Sequence, residues 1–264
     1  MKKTLRYGLC VLSLVLVIGI IIPAGALAQN TIKIGAIYPL TGGAAAAGRE
    51  LRAGVELAVE LANNAMADIN MTMAKSVGIT SLDGAKIEII FKDHEGNPTL
   101  GADLAKKLIL DDKVNGLIGC YHSSVTKTVS AVAEQYGVPM INGSSTSPAL
   151  TKRGFKWFWR TTPHDVWFTK DLFEFLNGLT EGKVKGVQAV PKKDIMNLSS
   201  ACEKTEWGSF VSQLIQQFAK DYSYDLKKSM LYAKESPDLS SEVRSLKASR
   251  ADVMLFASYT SDAI

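Results

Sequence analysis

Apolar residues in this chain come in short bursts, and most bursts end in glycine, proline or hydroxyl-bearing residues. TIKIGAIY, from residue 31, is β-branched and apolar over the length of a strand, and Pro39-Leu40-Thr41-Gly42-Gly43 turns the chain. Leu51, Val55, Ala58, Val59 and Ala62 recur at helical spacing. Residues 63–83 are polar and methionine-spotted, reading as a helix end with an exposed insertion. Residues 86–92 form a second strand with Ile87, Ile89 and Phe91 on one side. Asn97-Pro98 then supplies the cap and first position of a helix that turns Leu100, Leu104 and Leu108 to the sheet.

The stretch 114–148 organises the rest. It reads VNGLIG-CYHSS-VTKTVSAVAEQYG-VPMING-SSTSP, two short apolar strands that each open into a hydroxyl-rich loop. Val125, Val129, Val132 and Tyr136 share one helical face, so Ser123 or Ser124 is the expected N-cap. Strand–helix alternation of this length implies a parallel, doubly wound α/β sheet. Both loops would then lie at carboxyl ends of strands, where such folds collect ligands. Helix amides and hydroxyls with no cationic chain nearby suit a small carboxylate or polar solute.

After residue 154 the composition changes. FKWFWRTTP is aromatic, extended and closed by Pro163, reading as a crossing strand or hinge. Helices are then expected at 167–176, 207–220 and 239–248, strands at 195–202, 229–233 and 252–257, and a Gly/Lys-rich loop at 178–193. The pattern divides the chain into a first lobe, 29–160, and a second, 161–264, with a cleft between them as the default ligand site. The sequence stops just after a strand. A parallel sheet needs both faces covered, so the expectation is a longer protein, with Val253 and Leu255 lacking their helix here.

The start of the chain alters the charge picture. Lys2, Lys3 and Arg6 precede an apolar run of 14 residues, 9–22, and Ala26-Leu27-Ala28 is a small-x-small cleavage site. Residues 1–28 therefore read as an export leader cleaved after Ala28, with a periplasmic destination. Cys10 lies within the apolar run and not behind a small residue at its end, so no lipoprotein signal is read. Of 30 Lys and Arg, three leave with the leader, and 27 face 26 acidic residues. A nearly balanced mature chain points away from nucleic acid and membrane surfaces.

Candidate chemistry is sparse. Cys120 and Cys202 end strands in different halves, so two free, buried thiols are expected. His94, His122 and His164 are scattered singly, with no Cys/His spacing for a metal. Gly43-Ala44-Ala45-Ala46-Ala47-Gly48-Arg49-Glu50 has the spacing of a phosphate loop. Arg49 replaces its lysine and Glu50 its hydroxyl, so a flexible loop entering a helix is the better reading. Ser123, Ser124 and Ser145 lack a G-x-S-x-G elbow, and no acidic orienter stands out for His122 or His164. No catalytic set, metal or cofactor is expected. Core packing is expected for most tryptophans; Trp207, between a strand and a helix, is placed as cleft residues are.

IKIGAIYPLTGGAAAAG, GVELAVELANN, KIEIIFKDHEGNP, LIGCYHSSVTKTVSAVAEQYGVPMINGSSTSPALT, FWRTTPHD and TEWGSFVSQLI, in this order behind a leader, resemble the branched-chain amino-acid-type solute-binding proteins of bacterial ABC importers. The resemblance covers residues 31–264 and implies a type I periplasmic-binding fold: two doubly wound lobes, a hinge and an interlobe cleft. It implies a receptor, not an enzyme, that closes on a small polar ligand such as an amino acid and presents it to an inner-membrane permease. By position it assigns ligand contacts to Ser123 with Ser124, to Ser144, Ser145 and Thr146, and to Trp207 and Tyr259. Ala47 stands where family members often place an aromatic residue, which departs from the pattern. The family's acidic partner for an amino acid's ammonium would lie beyond Ile264, as would the return to the first lobe. The alternatives carried beside this are a sensor for amides, urea or small organic acids, and, more distantly, a secreted hydrolase.

Overall fold

The computed structural model describes residues 31–262. The expected leader, its cleavage site and Cys10 lie outside them. Five parallel strands, β1 (Thr31–Tyr38), β2 (Lys86–Asp93), β3 (Gly116–Gly119), β4 (Met140–Asn142) and β5 (Phe158–Arg160), form one sheet in the order β2-β1-β3-β4-β5. Helices α1 (Ala45–Asn63), α2 (Pro98–Leu110) and α3 (Ser123–Tyr136) connect them. After β5 the chain enters α4 (Asp165–Thr180) and a second parallel sheet of β6 (Asn197–Glu203), β7 (Asp225–Tyr232) and β8 (Val253–Ala257), ordered β7-β6-β8. Its connections are α5 (Glu206–Asp221) and α6 (Ser240–Ala248). The architecture is thus α/β with two parallel sheets, as expected. Among the described residues no helix is long and apolar enough to cross a membrane.

Both sheets reverse strand order at one point, β1/β3 in the first and β6/β8 in the second. Connections leave such a point in opposite directions, so a crevice opens there between neighbouring strand ends. The first core fills with Ile37, Leu108, Leu117, Val125, Val129 and Met140, and the second with Phe173, Leu198, Ile215 and Leu255. Truncating any one of these to alanine should cost about 2–5 kcal/mol.

Local chemistry explains the ends of the elements. Asn97 caps α2, its side chain accepting from the amides of Thr99 and Leu100, and Pro98 takes the position where no amide is needed. Gly137 ends α3 at φ 65°, letting its amide return to Ala133 and Glu134, a conformation a Cβ would strain. Thr205 caps α5 through the Gly208 amide.

Several expectations need correction. His122 and not Ser123 or Ser124 is the N-cap of α3; the two serines are its first helical residues, and no side chain caps it. Tyr136 is exposed at 40%, at the last residue of the helix before Gly137 turns the chain away. The stretch expected as a flexible loop is helical from Ala45, and Gly48 packs so closely that a Cβ would fall 1.9 Å from the Pro39 carbonyl oxygen. FKWFWRTTP does not cross between sheets as a strand: β5 pairs with β4 as the edge of the first sheet, and the crossing follows at 161–164. Trp157, Trp159 and Trp167 are exposed because an edge strand and the outer face of α4 cover only one side of the chain. Strand β7 begins at Asp225, four residues before the expected start. Leu255 is buried against α4 and α5; Met254 and Phe256 are the residues of β8 that stand exposed. The period of two simply places the other alternate set outward.

Cys120 and Cys202 are both buried and unbonded, as expected. Burial pushes the Cys202 thiol up to about 11 and that of Cys120 further still.

The cap on α2 makes a direct test. Asn97→Ala should lower unfolding free energy by about 1 kcal/mol, and Asn97→Asp should recover most of it. Denaturant melts of the three proteins measure this; equal midpoints for wild type and Asn97→Ala would show that the cap contributes nothing.

Candidate functional site

The carboxyl ends of β3, β4, β6 and β8 deliver the residues of the site. Strand β3 runs into Tyr121, His122 and the first turn of α3. Strand β6 runs into Glu203 and, through the Thr205 cap, Trp207. Strand β8 runs into Ser258 and Tyr259. A cavity of ≈ 160 Å³ lies between them, lined by Tyr121, Ser123, Ser144, Thr146, Trp207, Ser258 and Tyr259. A wider one of ≈ 690 Å³ continues along α1 past Tyr38, Ala47, Glu50 and Leu51, sharing Tyr121 and Ser144.

Tyr259 is an aromatic contact between the sheets. Its ring centroid lies 4.5 Å from His122, 5.3 Å from Tyr121 and 4.8 Å from Trp207. Such ring pairs contribute about 0.5–1.5 kcal/mol each beyond their burial. Its phenol reaches the Ser123 amide at the N-terminus of α3, and burial, with Glu203 nearby, holds the hydroxyl protonated far above its ordinary range. At the rim Lys127 Nζ meets Glu206 Oε2 at 3.0 Å, and Lys234 Nζ donates to the Gly96 carbonyl at 3.4 Å. Half-exposed pairs of this kind contribute little to stability.

The hydroxyl loop after β4 is shaped by one buried side chain. Asn142 Oδ1 accepts from the amides of Ser144 and Ser145, and its Nδ2 donates to the Ser145 carbonyl at 2.7 Å. This local loop of hydrogen bonds turns Ser144 and Thr146 toward the cleft. Five of the seven residues expected at the site line the cavity: Ser123, Ser144, Thr146, Trp207 and Tyr259. The Ser144 hydroxyl is buried without a protein partner. Ser145 is placed otherwise: its hydroxyl is bonded to Thr126 Oγ1 at 2.6 Å and donates to the Tyr121 carbonyl at 2.9 Å, tying the loop to α3. Ser124 is half-buried and outside the cavity lining.

The histidines expected to stand apart do not all do so. His94, after β2, and His122, after β3, lie edge to face with centroids 5.4 Å apart, because β2 and β3 flank β1 and their ends meet beyond it. His94 Nε2 bonds the Cys120 carbonyl and its Nδ1 accepts from the Gly96 amide, so Nε2 carries the proton. Burial, with His94 and Lys234 nearby, pushes His122 down to about 3. Its Nδ1 is buried without a partner. Glu203 was missed by sequence reasoning. It is fully buried, Oε2 faces the Tyr259 amide at 3.4 Å and Oε1 has no partner. Burial raises its carboxyl to about 7, Asp262 and Glu235 adding to the shift and the Tyr259 amide and Lys234 opposing it. A charged residue as the last position of a buried strand was the available signal. Asp165, also missed, accepts from Trp207 Nε1 at 3.0 Å. Among the described residues no group of three His, Cys, Asp or Glu could hold a metal ion.

A family model described as periplasmic binding protein matches residues 31–264. The chain is 29% identical over 238 residues to Leu/Ile/Val-binding protein homolog 7 of Brucella suis, covering 90% of this chain and 54% of that protein. It spans about half the length of the curated relatives it matches. Among solved structures it resembles a solute binding protein of an ABC transporter from Rhodopseudomonas palustris BisB5 in complex with 3,4-dihydroxy benzoic acid, at TM-score 0.68 and 20% identity. That alignment covers 86% of this chain and 54% of the other. It also resembles a branched-chain amino acid transporter substrate binding protein from Streptococcus pneumoniae in complex with isoleucine, at TM-score 0.66 and 21% identity, covering 86% and 57%. At these identities the structures speak for the fold.

The two buried titrating groups should bend stability in opposite directions. Glu203, raised, favours the fold while neutral, so stability should fall as pH rises through about 7. His122, lowered, also favours the fold while neutral, so stability should fall as pH drops below its unfolded value near 6.5 toward about 3. Thermal melts from pH 3 to 9, at fixed ionic strength, should show Glu203→Gln losing the fall in stability as pH rises from about 4.5 to about 7, and His122→Gln losing the fall as pH drops from about 6.5 toward about 3. A pH dependence between about 4.5 and 7 left unchanged in Glu203→Gln would contradict the assignment.

Proposed function

The chain belongs to the periplasmic binding protein family, and from that premise we propose that it is part of an extracytoplasmic solute receptor serving an ABC importer. Members of such a family bind and release; none of the chemistry above asks for turnover. The observation that carries the reading is the convergence of two parallel sheets, each at its switch point, on one cavity lined by hydroxyls and aromatic rings.

In this reading residues 29–160 and 161–264 act as lobes, hinged at the crossing after β5. Ser123, Ser144 and Thr146, with the first amides of α3, receive a ligand's carboxylate or equivalent polar head. Trp207 and Tyr259 close over its apolar body from the second sheet. Ser145 supports the loop rather than the ligand, since both sides of its hydroxyl are already used. The ligand is a small organic acid, with branched-chain amino acids first. The named relatives support that class, one solved with isoleucine and one with 3,4-dihydroxy benzoic acid. Closure would be selected by a ligand that touches both sides and so binds the closed arrangement better. The leader read from the sequence would export the chain to the periplasm with cleavage after Ala28, and the closed form would dock on an inner-membrane permease.

Calorimetry with L-leucine, L-isoleucine and 3,4-dihydroxybenzoate tests this. Ser123→Ala and Thr146→Ala should each weaken a binding solute by roughly 1–3 kcal/mol, where a buried polar partner is left unpaired. Ser145→Ala should cost stability more than affinity. Unchanged affinity in Ser123→Ala and Thr146→Ala together would move the site elsewhere.

A further inference from the structure

The Trp207 indole borders two cavities. One is the ≈ 160 Å³ cleft shared with Tyr121, Ser123 and Tyr259. The other, ≈ 260 Å³, is largely apolar, with Phe168, Leu172, Ile215 and Leu255 in its wall. A ring with room beside it in two places is not fixed by packing alone, because the close contacts that would pin it are incomplete. Its polar end is fixed: Nε1 donates to Asp165 Oδ1 at 3.0 Å.

Asp165 is unusually well placed to do this. It is the first residue of α4 and only 3% exposed. Its amide donates to the Thr146 carbonyl at 3.0 Å, so it holds the hydroxyl loop as well as the indole. Arg160, the last residue of β5, secures the same loop by donating to the Ser147 carbonyl at 2.8 Å. The hydroxyl loop of the first sheet and the aromatic side chain of the second therefore meet at one buried residue, the loop at its amide and the indole at its carboxylate, just past the crossing between sheets.

We propose that Asp165 is a positioning residue of the cleft: it holds the Trp207 indole at the cleft cavity, against the second cavity, and in register with Thr146. Its consequence for ligand rests on reading the cleft as the solute site. Asp165 itself lines the second cavity and is absent from the cleft lining, so its effect on a solute passes through Trp207 and Thr146. Burial raises its carboxyl, opposed by Thr146, Trp207, Arg160 and His164, which ring it.

The test uses the full chain labelled with ¹⁵N at its four tryptophans. Trp207→Phe assigns the Trp207 indole signal by its loss. In wild type that N–H should exchange slowly with solvent; in Asp165→Ala it should exchange roughly 10- to 100-fold faster, and Asp165→Asn, which keeps an acceptor oxygen, should restore protection. If Asp165→Ala does not fold, Asp165→Ser, too short to reach the indole, takes its place. L-Leucine and 4-hydroxybenzoate are titrated into the same proteins. A probe that binds wild type should bind Asp165→Ala about tenfold or more weakly, and Asp165→Asn nearly normally. With Trp207→Phe already present, Asp165→Ala should add little further loss. Unchanged indole exchange in Asp165→Ala, or unchanged affinity for a bound probe, would overturn the proposal. If neither probe binds wild type, the ligand class fails, while the indole exchange still decides what Asp165 holds.

Discussion

One ring, Tyr259, meets both sheets, and the geometry of the cleft depends on it. It follows β8, yet it rests on Tyr121 and His122 from the end of β3 and on Trp207 from the start of α5. Parallel sheets impose this meeting, since all their strands finish at the same edge and their loops must share the space beyond it. The contact is apolar in body and polar at its tip, where the phenol reaches the Ser123 amide. Closing rings over this edge also buries groups that water would otherwise solvate. Burial disfavours the charged form of both His122 and Glu203, one pushed down and the other up, and each keeps an unpaired polar atom. Burial of such atoms opposes the ring contacts.

The strand and helix order was legible because buried strands and amphipathic helices leave different periods, and because Asn97-Pro98 and Gly137 mark element ends by plain backbone chemistry. The two hydroxyl loops were legible as loops at strand ends, and Ser123, Ser144 and Thr146 do meet at one cavity. What sequence spacing could not settle was where a hydroxyl points. Ser145 lies between Ser144 and Thr146 in the chain, but its Oγ turns inward to Thr126 and the Tyr121 carbonyl. His94 and His122 are 28 positions apart and looked unrelated; the pairing of both β2 and β3 with β1 makes them neighbours. Leu255, expected to lack a covering helix, is buried against α4 and α5, because helices earlier in the chain already cover that face of β8. Glu203 was signalled only by its charge at the end of a buried strand, and Asp165 by nothing local, since its first-turn position on a helix is where solvated carboxylates also sit.

Membership of the periplasmic binding protein family sets the frame in which these contacts matter, and movement of one lobe against the other is what the proposed function requires most. Nitroxide labels on the exposed positions Lys107 of α2 and Gln217 of α5 would report the separation of the two sheets directly. Pulsed electron spin resonance should give a broad or longer distance distribution without solute, and a narrower, shorter one when L-leucine or 3,4-dihydroxybenzoate is bound. The same distribution with and without a solute that calorimetry shows to be bound would contradict closure, and with it the role given to the cleft.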